Sequence, residues 1–307
     1  MKKTLVFCTV IILVFVCICG CRKEQVHFAS DDPEIILPGG DAKDAVIPAS
    51  LKTPFSLSDV PEFSTEPYAS VNGGKPYFTD NEKVATSYEY YSALDRYDRC
   101  GTAVACIGVD LMPTEPREYI GTVKPSGWRT DRYEFIENEY IYNRCHLIGF
   151  QLAGENANEK NLITGTRYLN IEGMLPFENM IAEYVRMTHN HVLYRVTPVF
   201  VNDEALARGV LMEAVSIEDS GAGICFNVFA YNVQPEIVIN YATGENRLSD
   251  GYVEPSKDYV LNTKSKKIHR PTCEYAQNIS ESNVVYFYGT KQYLKDRGYT
   301  ECGVCKP

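Results

Sequence analysis

A histidine and four polar residues around it form the part of the sequence that is best equipped for chemistry. Arg144 and His146 precede an asparagine-rich segment that contains Asn161, and Asn170 and Glu178 follow, eight residues apart. A neutral imidazole can take a proton from water near pH 7, and a guanidinium can hold phosphate oxygens. Amide and carboxylate oxygens suit a hard cation such as Mg²⁺. Together these groups are what the hydrolysis of a phosphodiester requires.

The segment Asn143–His146 reads Asn-Arg-Cys-His. It resembles the Asp-Arg-Gly-His signature of the DNA/RNA non-specific endonucleases, particularly the DNA-entry nucleases of competent bacteria. The spacing of Asn161, Asn170 and Glu178 is also similar to that family, and the resemblance covers roughly residues 68–241. It implies an α+β fold with a ββα-metal, or His-Me finger, core. In such a core the histidine lies on a strand of a hairpin, and the second asparagine lies on the helix that follows.

The resemblance implies a role for each of these side chains. His146 is expected to be the general base that activates water, Arg144 to contact substrate phosphate, and Asn170 to bind Mg²⁺ or Mn²⁺. Asn161 is expected to fix the loop or a substrate oxygen. Structural roles as turn and cap residues are the alternatives for Asn161 and Asn170. Glu178 is expected to orient water on the ion, or else to be a solvated helix residue. The products would carry 5′-phosphates, and contacts to the phosphate backbone would give weak sequence preference.

The signature differs from that of the family at two positions. Asn143 stands where the family has Asp, which removes a negative charge beside the base. Cys145 stands where the family has Gly, which adds a side chain where a close backbone approach is expected. Neither change removes a reacting group, so hydrolysis of DNA, and of RNA as a further substrate, is the expected activity. The alternatives are a nucleic-acid-binding lipoprotein with impaired catalysis and a zinc-stabilised surface interaction module.

Other cations and imidazoles of the same region receive no site. Arg117, Lys124 and Arg129 could line a phosphate groove, but scattered cations of this kind are usually surface residues. His189 and His191 follow a helix, and we expect them to interact with its C-terminal carbonyls rather than with a metal. The formal net charge of −10 argues against a protein that coats nucleic acid through bulk electrostatics.

A second cluster of potential ligands lies at the C-terminal end. His269 and Cys273 form an H-x3-C pair, and Cys302 and Cys305 form a C-x2-C pair. Two short pairs separated by enough chain for a hairpin and a helix suit tetrahedral zinc. A unit as small as residues 258–307 buries little surface, so Zn²⁺ would contribute to its fold. A disulfide between the last two cysteines is the alternative.

The same C-terminal segment resembles the metal-binding domain of the Ada DNA-repair protein, in which thiolates alone hold the ion. His269 replaces the first thiolate, which in that family accepts a methyl group from DNA phosphate. The resemblance therefore implies a structural zinc site and no methyl transfer. A supporting role in DNA binding is a further hypothesis, because four cations cluster near the site: Lys264, Lys266, Lys267 and Arg270.

The first residues have the features of an export signal. Two lysines precede the apolar run Leu5–Val16, and Ile18–Cys21 resembles a lipobox. The run is shorter than the ~20 residues that span a bilayer, which disfavours a transmembrane anchor. We therefore expect residues 1–20 to be a signal peptide and Cys21 to carry lipid. The mature protein would be anchored to the outer face of the bacterial cytoplasmic membrane.

Composition divides the remaining chain into segments. Residues 21–64 are rich in Asp, Pro, Gly and Ser without sustained periodicity, which indicates a flexible tether. Residues 65–243 alternate strand-like runs with helical stretches, as is typical of an antiparallel α+β domain. A linker at 244–257 then leads to the small zinc-binding α+β domain at 258–307. The strand-like runs are Thr102–Val109, Val192–Val201, Gly209–Ile217 and Ile224–Val233.

Four cysteines of the central region have no assigned role. In an exported protein some of them could form disulfides. The sequence does not choose the pairing among Cys100, Cys106, Cys145 and Cys225.

Overall fold

The computed structural model describes residue 51 and residues 53–307, together with the backbone of two short strands nearer the N-terminus. The predicted signal peptide, the lipobox and Cys21 lie outside the described residues. In the described part of the chain, no helix has the length and apolar character needed to cross a membrane. The chain divides into two compact units, of which the second consists of Glu236–Val238 and Arg247–Pro307.

The first unit is built on an antiparallel sheet. The strands in chain order are β1 (Val26–His27), β2 (Ile35–Ile36), β3 (Tyr68–Ser70), β4 (Tyr88–Tyr91), β5 (Ala103–Ile107), β6 (Tyr142–His146), β7 (Leu162–Thr166), β8 (Val192–Val201), β9 (Gly209–Ser216) and β10 (Cys225–Tyr231). The strand order in the sheet is β2-β4-β5-β8-β9-β10-β3, and β1 pairs with β8. Four of these strands, β5, β8, β9 and β10, fall within the runs predicted from the sequence.

A separate hairpin and the helix after it carry the residues of chemical interest. Strands β6 and β7 pair antiparallel, with His146 opposite Leu162. A π-helical turn, Leu169–Met174, then leads directly into α2 (Leu175–Thr188), while the short helix α1 (Phe150–Ala153) lies in the loop of the hairpin. Pro176 lies in the first turn of α2, where its missing N–H is no loss. This is the ββα order expected from the sequence, and the α+β prediction is confirmed.

One apolar layer fixes the hairpin and α2 against the sheet. Ile181 and Val185 of α2, Leu147 after β6, and Tyr194 and Met212 of the sheet are at most 1% exposed and belong to one buried cluster. Interiors of this kind are close-packed and resist small displacements. The end of β6 and the start of α2 are therefore held in a fixed relation to each other.

The N-terminal tether predicted over residues 21–64 is wrong for its last part. Residues 53–64 pack on the sheet: Phe55 stacks on Phe229 with ring centroids 5.5 Å apart, and Phe63 contacts Tyr231 at 5.7 Å. Phe55 and Phe63 pack into the same apolar cluster, which also contains Phe229 and Tyr231. Isolated aromatic residues in a segment rich in Ser and Pro give no regular period, so the sequence pattern did not indicate this packing.

The second unit is a small α+β domain. Its sheet has the order β15-β13-β14-β16, in which β14 and β16 are parallel. Where the chain passes into this unit, within the stretch predicted as a linker, β12 pairs with β11. The elements are β11 (Ile237–Ile239), β12 (Asn246–Leu248), β13 (Lys257–Asn262), β14 (Lys267–His269), α3 (Glu274–Gln277), β15 (Val284–Gly289), α4 (Lys291–Lys295) and β16 (Thr300–Glu301).

Candidate active site and metal cluster

His146 ends strand β6 and is held by two partners of opposite kinds. Its Nε2 lies 3.0 Å from the carbonyl oxygen of Asn156, and its Nδ1 lies 3.3 Å from a guanidinium nitrogen of Arg117. A carbonyl can only accept a hydrogen bond, and a guanidinium can only donate one. The neutral imidazole therefore carries its proton on Nε2, and the lone pair of Nδ1 is available as a base.

The surroundings of His146 keep its imidazole uncharged. Its side chain is buried, and burial lowers the pKa of His146 to about 4; the carbonyl of Asn156 opposes this shift and the charge of Arg117 adds to it. At neutral pH the ring is consequently in the form that can accept a proton.

Asn156 connects the two partners of the imidazole. Its carbonyl accepts from His146, and its side-chain oxygen accepts from the backbone N–H of Glu118 at 2.8 Å, next to Arg117. One residue thus fixes the ring and the segment that carries the guanidinium. Arg117 lies 29 residues before the histidine, and no spacing in the sequence distinguishes it from the scattered surface cations.

Four of the five residues predicted for the nuclease site line one cavity of about 720 Å³. His146 and Arg144 come from β6, Asn170 from the π-helical turn, and Glu178 from the first turn of α2. A single cavity therefore brings together side chains that are up to 34 residues apart. Its wall also includes Arg117, Trp128, Glu137, Tyr140, Asn143, Gly149 and Arg167.

Asn170 and Glu178 have the properties of a cation site. Within the described residues, neither side chain makes a hydrogen bond to the protein, although Glu178 is buried. Burial raises the pKa of Glu178 to about 7, with Arg117 opposing the shift. Gly149 allows the close approach, since a Cβ there would lie 2.6 Å from the carboxylate. An amide oxygen and a desolvated carboxylate in one cavity fit a hydrated hard cation.

Arg144 is constrained by contacts within the cavity wall. Its guanidinium donates to the carbonyl oxygens of Val123 and, at 2.9 Å, Gly121, and it lies 4.0 Å above the Trp128 ring. Burial lowers its pKa. Two of its donors are therefore engaged with the loop, so Arg144 shapes the cavity wall and has only its remaining N–H groups for phosphate.

Asn161 is not part of the cavity wall, and its contacts are those of a residue that fixes the loop after His146. It is fully buried, and its side chain accepts from the Ile148 N–H at 2.8 Å and donates to the Ile148 carbonyl at 3.0 Å. The backbone carbonyl of Asn161 also accepts from Leu147 at 2.8 Å. Asn161 therefore holds the chain directly after His146 and contacts no substrate from this position.

Asn161→Ala is expected to destabilise the nuclease unit by about 2–4 kcal/mol, because two buried backbone groups of Ile148 lose their partner. Urea denaturation would measure this loss. Asn158→Ala is the control, since it removes only a side-chain cap to Lys160 and costs about 1 kcal/mol. Equal losses in the two variants would contradict the assigned role.

The four C-terminal ligand candidates also come together. The ligand atoms of His269, Cys273, Cys302 and Cys305 all lie within 4.8 Å of one another. Burial opposes ionisation of Cys302, but N–H groups of the turn around Cys305 outweigh it and lower the pKa of Cys302. Thiolates and an imidazole at this spacing fit tetrahedral zinc. All seven cysteines in the described part of the chain are free thiols, so no disulfide competes with this cluster.

Comparison with known proteins identifies the first unit. Residues 79–217 match the family model of the DNA/RNA non-specific endonucleases. No curated protein sequence matches the chain. The Sda1 nuclease, solved with a bound zinc ion, is 26% identical, with a TM-score of 0.51 over 60% of this chain and 97% of that one.

NucA from Streptococcus agalactiae shares the fold. Its magnesium-bound crystal structure is 24% identical, with a TM-score of 0.52 over 59% of this chain and 86% of that one. Its metal-free structure is 23% identical, with a TM-score of 0.54 over 63% and 92% of the two chains. The family match over residues 79–217 and the Sda1 likeness show that the first unit contains a DNA/RNA non-specific endonuclease domain, and they support nuclease activity.

Proposed function

We propose that this nuclease is an exported, Mg²⁺-dependent enzyme that hydrolyses DNA, and RNA as a further substrate, and leaves 5′-phosphates. The observation that carries the proposal is the shared cavity of His146, Asn170 and Glu178, which joins a base to a cation site. Contacts to the sugar-phosphate backbone give such a site little sequence preference.

The base acts through Nδ1 of His146. This nitrogen takes a proton from water, and the resulting hydroxide attacks phosphorus while the 3′ oxygen leaves in line. The Asn156 carbonyl holds the ring and stabilises the imidazolium that forms. Arg117 covers Nδ1 in the free enzyme, and it is placed to donate to a phosphate oxygen once substrate arrives.

A cation at Asn170, near Glu178, would neutralise the negative charge that develops on the phosphate and on the leaving oxygen. The identity of the ion as Mg²⁺, with Mn²⁺ as a substitute, rests on the oxygen donors. Glu178 is buried and lacks a protein hydrogen bond among the described residues, so a nearby positive charge would favour its ionised form.

Digestion of plasmid DNA across a series of Mg²⁺ concentrations tests the proposal. We expect no digestion without a divalent ion. We expect Asn170→Ala to need at least about tenfold more Mg²⁺ for half-maximal rate, since it loses a protein ligand. Asn179→Ala is the control, because Asn179 lies on α2, directly after the turn that carries Asn170, is exposed and contacts Gln151. Full activity in EDTA, or identical Mg²⁺ curves for the two variants, would refute the metal role.

The pH dependence should report the buried base. Because the pKa of His146 is lowered to about 4, the active form is present above that pH and is lost as the pH falls through it. We therefore expect the rate at saturating Mg²⁺ to be half-maximal below pH 6. A half-maximal rate near the ordinary histidine pKa of about 6.5 would show that the base is solvated during turnover.

Anchoring to the membrane is a proposal from the sequence. Cys21 would carry the lipid, and residues 1–20 would be removed. Fractionation of cells that express the full chain is expected to place the nuclease in the membrane fraction, and Cys21→Ser is expected to keep it out of that fraction. A wild-type protein found only in the medium would contradict the anchor.

A further inference from the structure

A second guanidinium lies on the cavity wall, paired with an acidic residue. Arg167 follows β7 and donates to the Glu137 carboxylate at 2.6 Å and, more weakly, to the Asn143 side-chain oxygen at 3.4 Å. Both Arg167 and Glu137 line the cavity that holds His146. The two partners differ in exposure: the Arg167 side chain is 21% exposed, whereas that of Glu137 is 74% exposed.

The guanidinium of Arg167 is incompletely satisfied. Its Nε is buried and has no hydrogen-bond partner among the described residues. Asn143 beside it is neutral, so within the cavity wall the exposed Glu137 carboxylate is the group that balances the charge. Ion pairs with one exposed partner contribute at most about 1 kcal/mol. A phosphate, which pairs with arginine through two hydrogen bonds, is a stronger partner.

Glu137 is carried by a tight loop in which its neighbour Ile136 is buried while the Glu137 side chain itself is exposed. The N–H of Tyr133 donates to the Glu139 carbonyl at 2.7 Å, and Asn138 and Glu139 adopt left-handed backbone angles, with φ of 64° and 68°. Glu139 points to a different partner, Arg132 at 3.6 Å, and does not line the cavity. Of the three acidic residues in this loop, Glu134, Glu137 and Glu139, only Glu137 lines the cavity.

We propose that Arg167 forms a binding subsite for a backbone phosphate other than the scissile one, and that Glu137 occupies this subsite in the free enzyme. Arg167 lies three residues before Asn170, so it belongs to the same wall as the proposed cation ligand. An extended nucleic-acid strand carries a phosphate at every nucleotide, so a strand bound at His146 places further phosphates along this wall. Glu137 competes with them and lowers the affinity for substrate. This inference rests on the proposed nuclease function.

Binding of a short labelled single-stranded DNA tests the subsite. The measurement uses the full chain with His146→Ala, so that the DNA stays intact, and follows fluorescence anisotropy as the salt concentration rises. Arg167→Gln is expected to raise the Kd about tenfold and to reduce the slope of log K against log salt by about one. Glu137→Gln is expected to lower the Kd about threefold, the scale of a partly exposed ion pair.

Matched variants separate the subsite from general charge effects. Glu139→Gln removes the same charge from the same loop and should leave the Kd unchanged, as should Arg186→Gln, which removes an exposed cation outside the cavity. In the Arg167→Gln background, Glu137→Gln should have no effect, because the two residues act through each other. An unchanged Kd in Arg167→Gln, or an equal effect of Glu137→Gln in both backgrounds, would overturn the proposal.

Failure of the Arg167 subsite can be distinguished from failure of the proposed nuclease function. Loss of plasmid digestion in the wild type would refute the nuclease mechanism, whatever the affinities are. Normal digestion together with a Kd that is insensitive to Arg167 would refute the subsite alone.

Discussion

His146→Ala is expected to lower the rate of plasmid hydrolysis by about 10³-fold, within the range that a general base contributes. The imidazole ends β6 with a lowered pKa and with Nε2 committed to Asn156, so its Nδ1 lone pair can accept a proton once Arg117 turns to the substrate phosphate. The variant should stay folded, because the imidazole lines the cavity and Asn161 still holds the following residues. Initial rates on supercoiled DNA at saturating Mg²⁺ measure the effect.

A matched histidine separates catalysis from general damage. His191 pairs with Glu218 at 2.6 Å and is outside the cavity, so His191→Ala should hydrolyse DNA at the wild-type rate. Added imidazole should partly restore the rate of DNA hydrolysis by His146→Ala, since imidazole can enter the space left by the side chain and supply the missing base. A rate for His146→Ala within about tenfold of the wild-type rate would show that His146 is not the general base, because a general base contributes at least about 10²-fold.

The strands and the ββα motif that position the site could be predicted from the sequence, because the patterns that indicate them are local. The strand-like runs of β8 and β9 are long and apolar, and the motif around His146 is followed at short range by Asn170 and Glu178. A hairpin and the next helix obey spacing rules over such distances. The structure adds which faces meet, and it places these three side chains in one cavity.

The residues that sequence reasoning missed depend on contacts between distant segments. Arg117 reaches His146 from a loop, and nothing in its neighbourhood distinguishes it from a surface cation. Arg144 belongs to the signature motif and was predicted, but the motif did not indicate that its guanidinium donates hydrogen bonds to the carbonyls of Gly121 and Val123. Phe55 has no periodic companions and still packs on Phe229. Tertiary packing decided each of these cases, and neither propensity nor spacing contains that information.

Removal of zinc is expected to unfold the second unit, whereas the nuclease unit should stay folded and keep its own unfolding transition. Two small apolar clusters support this unit, one around Leu261 and Ile268 and one around Val260 and the cysteines themselves. Burial on that scale rarely stabilises so small a domain. A tetrahedral zinc site binds with about 10–16 kcal/mol in small metal-dependent domains, and this energy becomes folding energy. The ligands would therefore decide whether the unit is folded.

Two measurements test this expectation: the zinc content of the full chain and the protease resistance of its second unit. We expect the full chain to contain one Zn²⁺, and we expect Cys302→Ser to lose it and to become cleavable by protease between β13 and β16. Cys225→Ser is the matched control, since that exposed thiol is far from the cluster in sequence and is not among its ligands. Because the His146 cavity uses no cysteine ligand, DNA hydrolysis with added Mg²⁺ should persist in Cys302→Ser. A metal-free wild-type chain with a protease-resistant second unit would instead show that apolar packing alone stabilises this domain.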